Sequence, residues 1–364
     1  MTRILALLGR TDEPTDGVEE YCRNLGVALG RYGLTMEISR AAWQARGWST
    51  ALREVQQQAA SWRGRWIFLQ YTALAWSVRG FPGRFVRVVQ ALRRSGARVG
   101  IVYHDAEPFA ATRLVEKVRR MAQLRTMRRA LRDCDLAVFT VPLEKLSWVE
   151  GAPRNAVFIP VGANLPVNAR STQRPRRAEE PMTVSVFSVT GGNAGEREVA
   201  RIAEAVQFAA AKTGKLRLIV FGRNADSAAS PLRAALGDAS VELQVFGVLP
   251  AEEVARLLSS SDVLLFVRGP ISSRRGSAIA GIACGIPVIA SAGPETAHPI
   301  TEAGVVFVST EKRAELGEAL ARVLSDRTYR ESLAERSRVA QEKYFAWDVI
   351  ARQYAEAMEK RKSS

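Results

Sequence analysis

Cysteine, histidine and long apolar runs are what this sequence is short of, and each shortage closes a class of chemistry. Its three cysteines, Cys22, Cys134 and Cys284, stand far apart with no CxxC pair, which excludes a disulfide framework and a four-ligand structural zinc site. With only His104 and His298 as histidines, no Ser-His-Asp or Cys-His spacing offers a covalent nucleophile. The first apolar run, residues 4–8, is too short for a secretory core, and no later run approaches the roughly 18 apolar residues of a membrane span. A soluble, cytoplasmic protein is expected. The string Asp133-Cys-Asp135 spells DxD, but it falls where a basic helix meets an apolar strand, and two carboxylates alone hold Mg2+ poorly without substrate phosphates. Neither a metal nor a bound cofactor is expected.

Acidic residues are scarce in one half only. The chain carries 52 Lys+Arg against 37 Asp+Glu, a net charge of +15. Residues 1–180 hold 29 of the basic and 16 of the acidic residues, so nearly all of the excess is N-terminal. That asymmetry points one half toward an anionic partner: nucleic acid, lipid headgroups or a phosphorylated acceptor.

What is present is alternation. Apolar runs at 4–8, 36–38, 66–70, 98–103, 136–141 and 157–159 are separated by helical patterns at 18–32, 51–62, 84–94 and 112–132, which predicts a parallel sheet covered on both faces. The polar, proline-bearing stretch 166–181 reads as a linker. The pattern restarts with strands at 184–188, 216–221, 241–246, 263–266, 287–290 and 305–308, and Asn193 with Glu196 has the spacing of a capping box opening a helix to about residue 212. Three helical stretches close the chain, at 311–324, 328–342 and 347–361. The fold class is therefore α/β: two doubly wound, Rossmann-like domains facing a central cleft, at 1–165 and 182–342, with 343–364 as a helix that can return to the first. Doubly wound sheets bind ligands at the C-terminal edges of their strands, so the ligand is expected between the domains.

Residues 247–290 (GVLPAEEVARLLSSSDVLLFVRGPISSRRGSAIAGIACGIPVIA) resemble the C-terminal half of the GT-B, glycogen-synthase-like glycosyltransferases (family 4, group 1). Asp262 matches the start of a strand in that pattern, and Ala283, Gly285, Pro287 and Val288 match its closing block. Residues 16–33 (DGVEEYCRNLGVALGRYG) are similar to the family's N-terminal glycine loop and helix. The resemblance implies transfer of a sugar, hexosyl and with retention, from a nucleotide-sugar donor to a glycan or lipid-linked acceptor in cell-surface polysaccharide synthesis. It also departs from the family. The paired glutamates that contact the sugar hydroxyls and the ribose fall on Ser272 and Ala280, and the usual arginine–lysine pair is missing from residues 188–201. A catalytically impaired homologue that binds nucleotide or glycan as a partner is the alternative.

The candidate site residues follow from charge and position. Gly17, at a helix start after the first strand, offers backbone amides either to a phosphate or to ordinary capping. His104 stands beside Asp105 just past a strand end, where it either acts at the donor sugar, as the resemblance implies for this loop, or anchors the loop. The segment Ser272, Ser273, Arg274, Arg275, Gly276, Ser277 opens a helix with two guanidinium forks, amides and hydroxyls, a diphosphate cradle or a solvated basic turn. Gly191 and Gly192 keep a flexible loop after the first strand of the second domain, and Arg223 is placed to supply charge that the missing pair does not.

The helix predicted over 112–132 bears Arg113, Lys117, Arg119, Arg120, Arg125, Arg128, Arg129 and Arg132 against Glu116 alone. Its stripe of Leu114, Val118, Met121, Leu124, Met127 and Leu131 is expected to bury on the sheet, leaving the arginines outward. Arg113, Lys117, Arg120, Arg125 and Arg128 are then the membrane- or acceptor-facing set, docking peripherally on anionic lipid at the inner face of the membrane. No aromatic platform interleaves them, which argues against nucleic acid.

Overall fold

The computed structural model describes residues 2–10, 16–166 and 180–361. These form two compact units, Met1–Pro160 with Trp347–Ser364, and Val161–Ala346. Of the expected linker 166–181, residues 167–179 lie outside the described residues.

The first unit runs β1 (Thr2–Leu8), α1 (Gly17–Leu29), β2 (Leu34–Arg40), α2 (Trp43–Arg46), α3 (Trp48–Ala59), β3 (Trp66–Tyr71), α4 (Phe85–Arg94), β4 (Arg98–Tyr103), α5 (Leu114–Asp133), β5 (Leu136–Phe139) and β6 (Ala156–Phe158). All pairings are parallel, in the order β2-β1-β3-β4-β5-β6. The direction of winding reverses between β1 and β3, where an open α/β sheet leaves a crevice beyond its strand ends. Every residue of β3 is buried, because helices cover both faces; this is why the strands read as continuous apolar runs rather than as alternation.

The second unit repeats the scheme with β7 (Met182–Phe187), α6 (Gly192–Thr213), β8 (Leu216–Phe221), α7 (Ala225–Leu236), β9 (Val241–Phe246), α8 (Ala251–Ser259), β10 (Val263–Phe266), α9 (Gly276–Ala283), β11 (Val288–Ser291), β12 (Val305–Val308), α10 (Arg313–Ser325) and α11 (Arg327–Ala340). Its order, β12-β11-β10-β7-β8-β9, places the switch point between β7 and β10. The last helix, α12 (Trp347–Lys360), packs in the first unit: the Tyr354 and Tyr21 hydroxyls lie 2.8 Å apart in the interior, and Tyr354 meets Phe68 edge-on. All three cysteines are buried thiols.

Two local expectations fail for identifiable reasons. The apolar stripe of α5 does not bury along its length. Leu114, Val115, Val118 and Met121 are 77%, 70%, 53% and 51% exposed, whereas Gln123, Thr126, Met127 and Ala130 are buried. At its midpoint α5 meets two loops rather than the sheet, and the Gln123 amide serves both, accepting from Phe109 N in the loop after β4 and donating to the Gly80 carbonyl in the loop after β3. A polar residue thus fills a place that periodicity gives to an apolar one. The Asn193–Glu196 capping box is not formed either, since α6 begins at Gly192 with Gly191 as its N-cap, leaving Asn193 inside the first turn. Among the described residues, no helix is long and apolar enough to cross a membrane.

Candidate functional site

The switch point of the second sheet gathers most of the predicted site. β7 ends in a loop knotted to the one after β8. Ser188 N donates to Phe221 O and Val189 N to Arg223 O, while the Ser188 hydroxyl accepts from Arg223 N at 3.1 Å and Asn224 Nδ2 donates to Val189 O. The buried Glu198 carboxylate takes Thr190 N at 2.7 Å. The chain then turns through Gly191 and through Gly192, whose φ of +63° side chains other than glycine rarely adopt, and enters the 22-residue α6. Gly191 has no side chain to accept from the first-turn amides, so this end of the helix presents donors and its positive pole outward.

Three arginines follow the neighbouring strands β8 and β10. Arg223 follows β8 and is half-buried. Arg268, which the sequence reading does not single out, follows β10 and lies within electrostatic reach of both Arg223 and Glu198. Burial lowers its pKa, the Glu198 carboxylate opposes that, and Arg223 adds to it. Its Nε is buried and makes no hydrogen bond among the described residues. Arg275 lies beside Gly269, next to Arg268 in the chain. The signal that could have found Arg268 is its place two residues past the end of a central strand.

The segment 272–277 is placed differently from a solvated turn. Ser272 and Ser273 are both 1% exposed, and Arg274 directs its fork inward, Nε and Nη2 donating to Glu295 at 2.7 and 3.0 Å. The Ser272 hydroxyl also donates to Glu295, at 3.2 Å. Of the two adjacent arginines, Arg274 therefore already neutralises a carboxylate, and Arg275 caps α9 ahead of Gly276 and Ser277. A carboxylate does reach the position that Ser272 leaves without one, but it comes from the loop after β11. Ala280 is buried within α9 and brings no such group.

The corresponding edge of the first unit is built differently. Gly17 opens α1, but the Asp16 carboxylate caps it, accepting from Val18 N and Glu19 N at 3.1 Å each. Arg40, from the end of β2, bonds both Asp16 and Glu19. The amides that Gly17 was expected to help present to a phosphate are closed by a carboxylate. His104 follows β4, its Nε2 2.8 Å from the buried Gln70 Oε1 and its ring edge-on to Tyr21 at 5.0 Å. Gln70 donates its own amide to Phe68 O, so its Oε1 accepts and His104 carries the proton on Nε2. Desolvation lowers the imidazole pKa to about 4, against a weaker opposing pull from Asp16. His104 is thus neutral at pH 7, with Nδ1 as an acceptor. Asp105 takes Ala73 N at 2.8 Å and orders the loop after β3.

On α5, Arg113, Lys117, Arg125 and Arg128 are exposed. Arg120 instead turns inward to the carbonyls of Pro108 and Phe109, so it braces the loop before the helix rather than facing out. Glu116, the helix's N-terminal acid, accepts from Thr112 N, the Thr112 hydroxyl and Arg113 N, which holds its pKa at about 2. Asp133 bonds Arg129, and Asp135 takes Val99 N at 2.7 Å, so both carboxylates of the DxD string serve the fold. Among the described residues, no group of three or more His, Cys, Asp or Glu side chains could hold a metal ion.

Residues 186–326 match the family model described as "Glycosyl transferases group 1". Compared with curated protein sequences, the chain finds no match. Among solved structures, it is similar to sucrose-phosphate synthase from Thermosynechococcus elongatus, at 21% identity and a TM-score of 0.69 with all of both chains covered. HepE from Anabaena, in complex with UDP and glucose, aligns at 16% identity and a TM-score of 0.67, over 99% of this chain and 100% of that one. A glycosyltransferase from Rickettsia africae aligns at 13% identity and 0.70, over 100% and 99%. These likenesses place the chain in the two-Rossmann-domain GT-B fold.

Proposed function

We propose that this chain, whose residues 186–326 match the group 1 glycosyl transferases, is a member of that family and transfers a hexosyl unit with retention from a nucleotide-sugar donor to a glycan or lipid-linked acceptor of cell-surface polysaccharide synthesis. The observation that carries the reading is the uncapped α6 N-terminus at the β7/β10 switch point, with Arg223 and Arg268 beside it. Breaking the bond between the anomeric carbon and the diphosphate leaves negative charge on the departing nucleotide. Fixed amides and guanidinium groups aimed there lower the barrier, because they need no reorganisation as the charge develops. Gly191 and Gly192 would supply the amides, Arg223, Arg268 and Arg275 the charge, and Ser277 with Gly276 the start of α9. Arg274 would act through Glu295, holding that carboxylate beside Ser272. HepE is described with UDP and with UDP-glucose, which supports a donor of this class.

His104 is the candidate for contact with the sugar: a neutral imidazole accepts from a hydroxyl at Nδ1 while Gln70 fixes its tautomer. No step in this reading calls for a metal or a bound cofactor. The exposed apolar half of α5, flanked by Arg113, Lys117, Arg125 and Arg128, fits a protein held peripherally on an anionic membrane of the cytoplasmic face, where each basic residue near the surface adds about 1 kcal/mol. Ser272 and Ala280 in place of carboxylates support the second reading, a homologue that binds donor without turning it over. Glu295 beside Ser272 favours activity. Calorimetry with a panel of nucleotide sugars, followed by release of free nucleotide with and without lipid-linked saccharides, separates the two. Binding with release upholds the enzyme, binding without release upholds the partner, and no binding to any nucleotide sugar defeats both.

A further inference from the structure

Three of the seven tryptophans and three arginines meet at a place that the donor reading does not use. A groove of about 510 Å³ in the first unit is floored by Trp43, Trp48 and Trp76 and rimmed by Arg79, Arg84 and Arg87. It lies where the loops after β2 and β3 come together, beside the switch point of the first sheet. The junction is fixed by close packing: a Cβ on Gly9, just past β1, would stand 2.1 Å from the Ala75 carbonyl, which accepts from both Arg10 N and Trp43 Nε1. The floor is rigid. Trp43 and Trp48 stack at 5.0 Å and 13°, and the Trp76 indole N–H is tied to Gln70 O at 2.8 Å.

The charge in this groove runs against local preference. Arg84 is the N-cap of α4 and Arg87 stands in its first turn, with no acid there, although the positive end of a helix favours carboxylates. No carboxylate lines the groove, and none pairs with Arg79, Arg84 or Arg87 among the described residues. Arg84 is instead held over the Trp48 face at 5.8 Å. Departures of this kind from local consistency concentrate where a ligand supplies what the chain omits. The rest of the rim is apolar and open to solvent, with Val78 62% and Phe81 40% exposed. Gly80, between them, packs against Arg119 and Gln123 of α5, so this rim adjoins the helix whose first half carries exposed Leu114, Val115, Val118 and Met121.

We propose that the groove binds a lipid phosphate, its phosphate on Arg79, Arg84 and Arg87 and the first carbons of its chain along Val78, Phe81 and the Trp48 edge. This rests on the transferase reading only in naming the ligand as the anchored end of a lipid-linked acceptor. A saccharide phosphate has the same anionic group but no use for the apolar rim, and so serves to distinguish the source.

The test is calorimetry on the full-length protein with farnesyl phosphate, farnesol and glucose 1-phosphate, and with a nucleotide sugar on the same samples. Farnesyl phosphate should saturate and bind at least tenfold more tightly than either of the other two, each of which lacks one half of its chemistry. The triple variant Arg79→Ala, Arg84→Ala, Arg87→Ala, all surface positions, should bind it at least tenfold more weakly while melting at the same temperature and keeping its nucleotide affinity. Equal binding by wild type and triple variant overturns the proposal, as does glucose 1-phosphate binding as tightly as farnesyl phosphate. Farnesyl phosphate binding in a protein that takes no nucleotide sugar upholds the groove and defeats only the donor reading. Nucleotide binding without farnesyl phosphate binding does the reverse.

Discussion

The two units open with the same device and finish it in opposite ways. In each, the first helix after the first strand starts on glycine, α1 at Gly17 and α6 at Gly192. At α1 the chain satisfies its own helix end: Asp16 accepts from two first-turn amides, and Arg40 bonds both Asp16 and Glu19. At α6 the cap is a glycine with no side chain to offer, the Glu198 carboxylate is turned to Thr190 N, and Arg268 interacts with Glu198 and Arg223. One helix end is capped by a side chain of the protein and the other has no side-chain cap, which is where we propose that the donor's phosphates sit. A glycine at a helix start is therefore not a phosphate site by itself; what its neighbours do with the amides decides.

That contrast can be broken in order of effect. Arg223→Ala with Arg268→Ala should cost nucleotide-sugar binding about 3 kcal/mol, since a hydrogen bond to a charged group is worth about 1.5–3 kcal/mol, and titration calorimetry reads it directly. Gly192→Val should lower stability by about 1–2 kcal/mol, because a β-branched residue is forced to positive φ, and should weaken nucleotide binding as well. Gly17→Ala has open space around the new methyl and should change donor affinity less than twofold. Asp16→Ala should lower stability by about 1 kcal/mol through loss of the cap, measured by urea unfolding, with nucleotide affinity unchanged.

A further effect is one of pH. His104 has a folded pKa of about 4, below the ordinary value near 6.5, so between those values the unfolded chain binds more protons. Its contribution is intact above pH 6.5 and is lost as the pH falls toward 4. Urea midpoints at pH 7 and pH 5 should differ less in His104→Gln than in the wild type; equal differences would remove His104 from this account.

The strands were legible because burial on both faces leaves them no polar residues to hide behind. Those at 98–103, 216–221 and 263–266 stand as predicted. Helix ends were less so. Asn193 and Glu196 have capping spacing, yet the Gly191–Gly192 turn starts α6 earlier, a choice made by backbone freedom that composition does not reveal. Arg274 looked like half of a diphosphate cradle because its partner, Glu295, lies 21 residues on and meets it only through the packing of two loops. Arg268 is not evident in the sequence for the converse reason: its neighbours, Glu198 in α6 and Arg223 after β8, are distant in the chain. The amphipathic stripe of α5 holds only in its second half: polar Gln123 and Thr126 bury beside Met127, while Leu114, Val118 and Met121 are exposed.

Nucleotide-sugar binding to the wild type, to Arg223→Ala/Arg268→Ala and to Asp16→Ala tests the β7/β10 edge of the second unit most directly. A donor at a hundredfold its Kd should stabilise the wild type and Asp16→Ala against unfolding by about 2.7 kcal/mol each, and the double variant by far less at the same concentration. Equal stabilisation of all three proteins, or of none by any nucleotide sugar, would contradict donor binding at that edge.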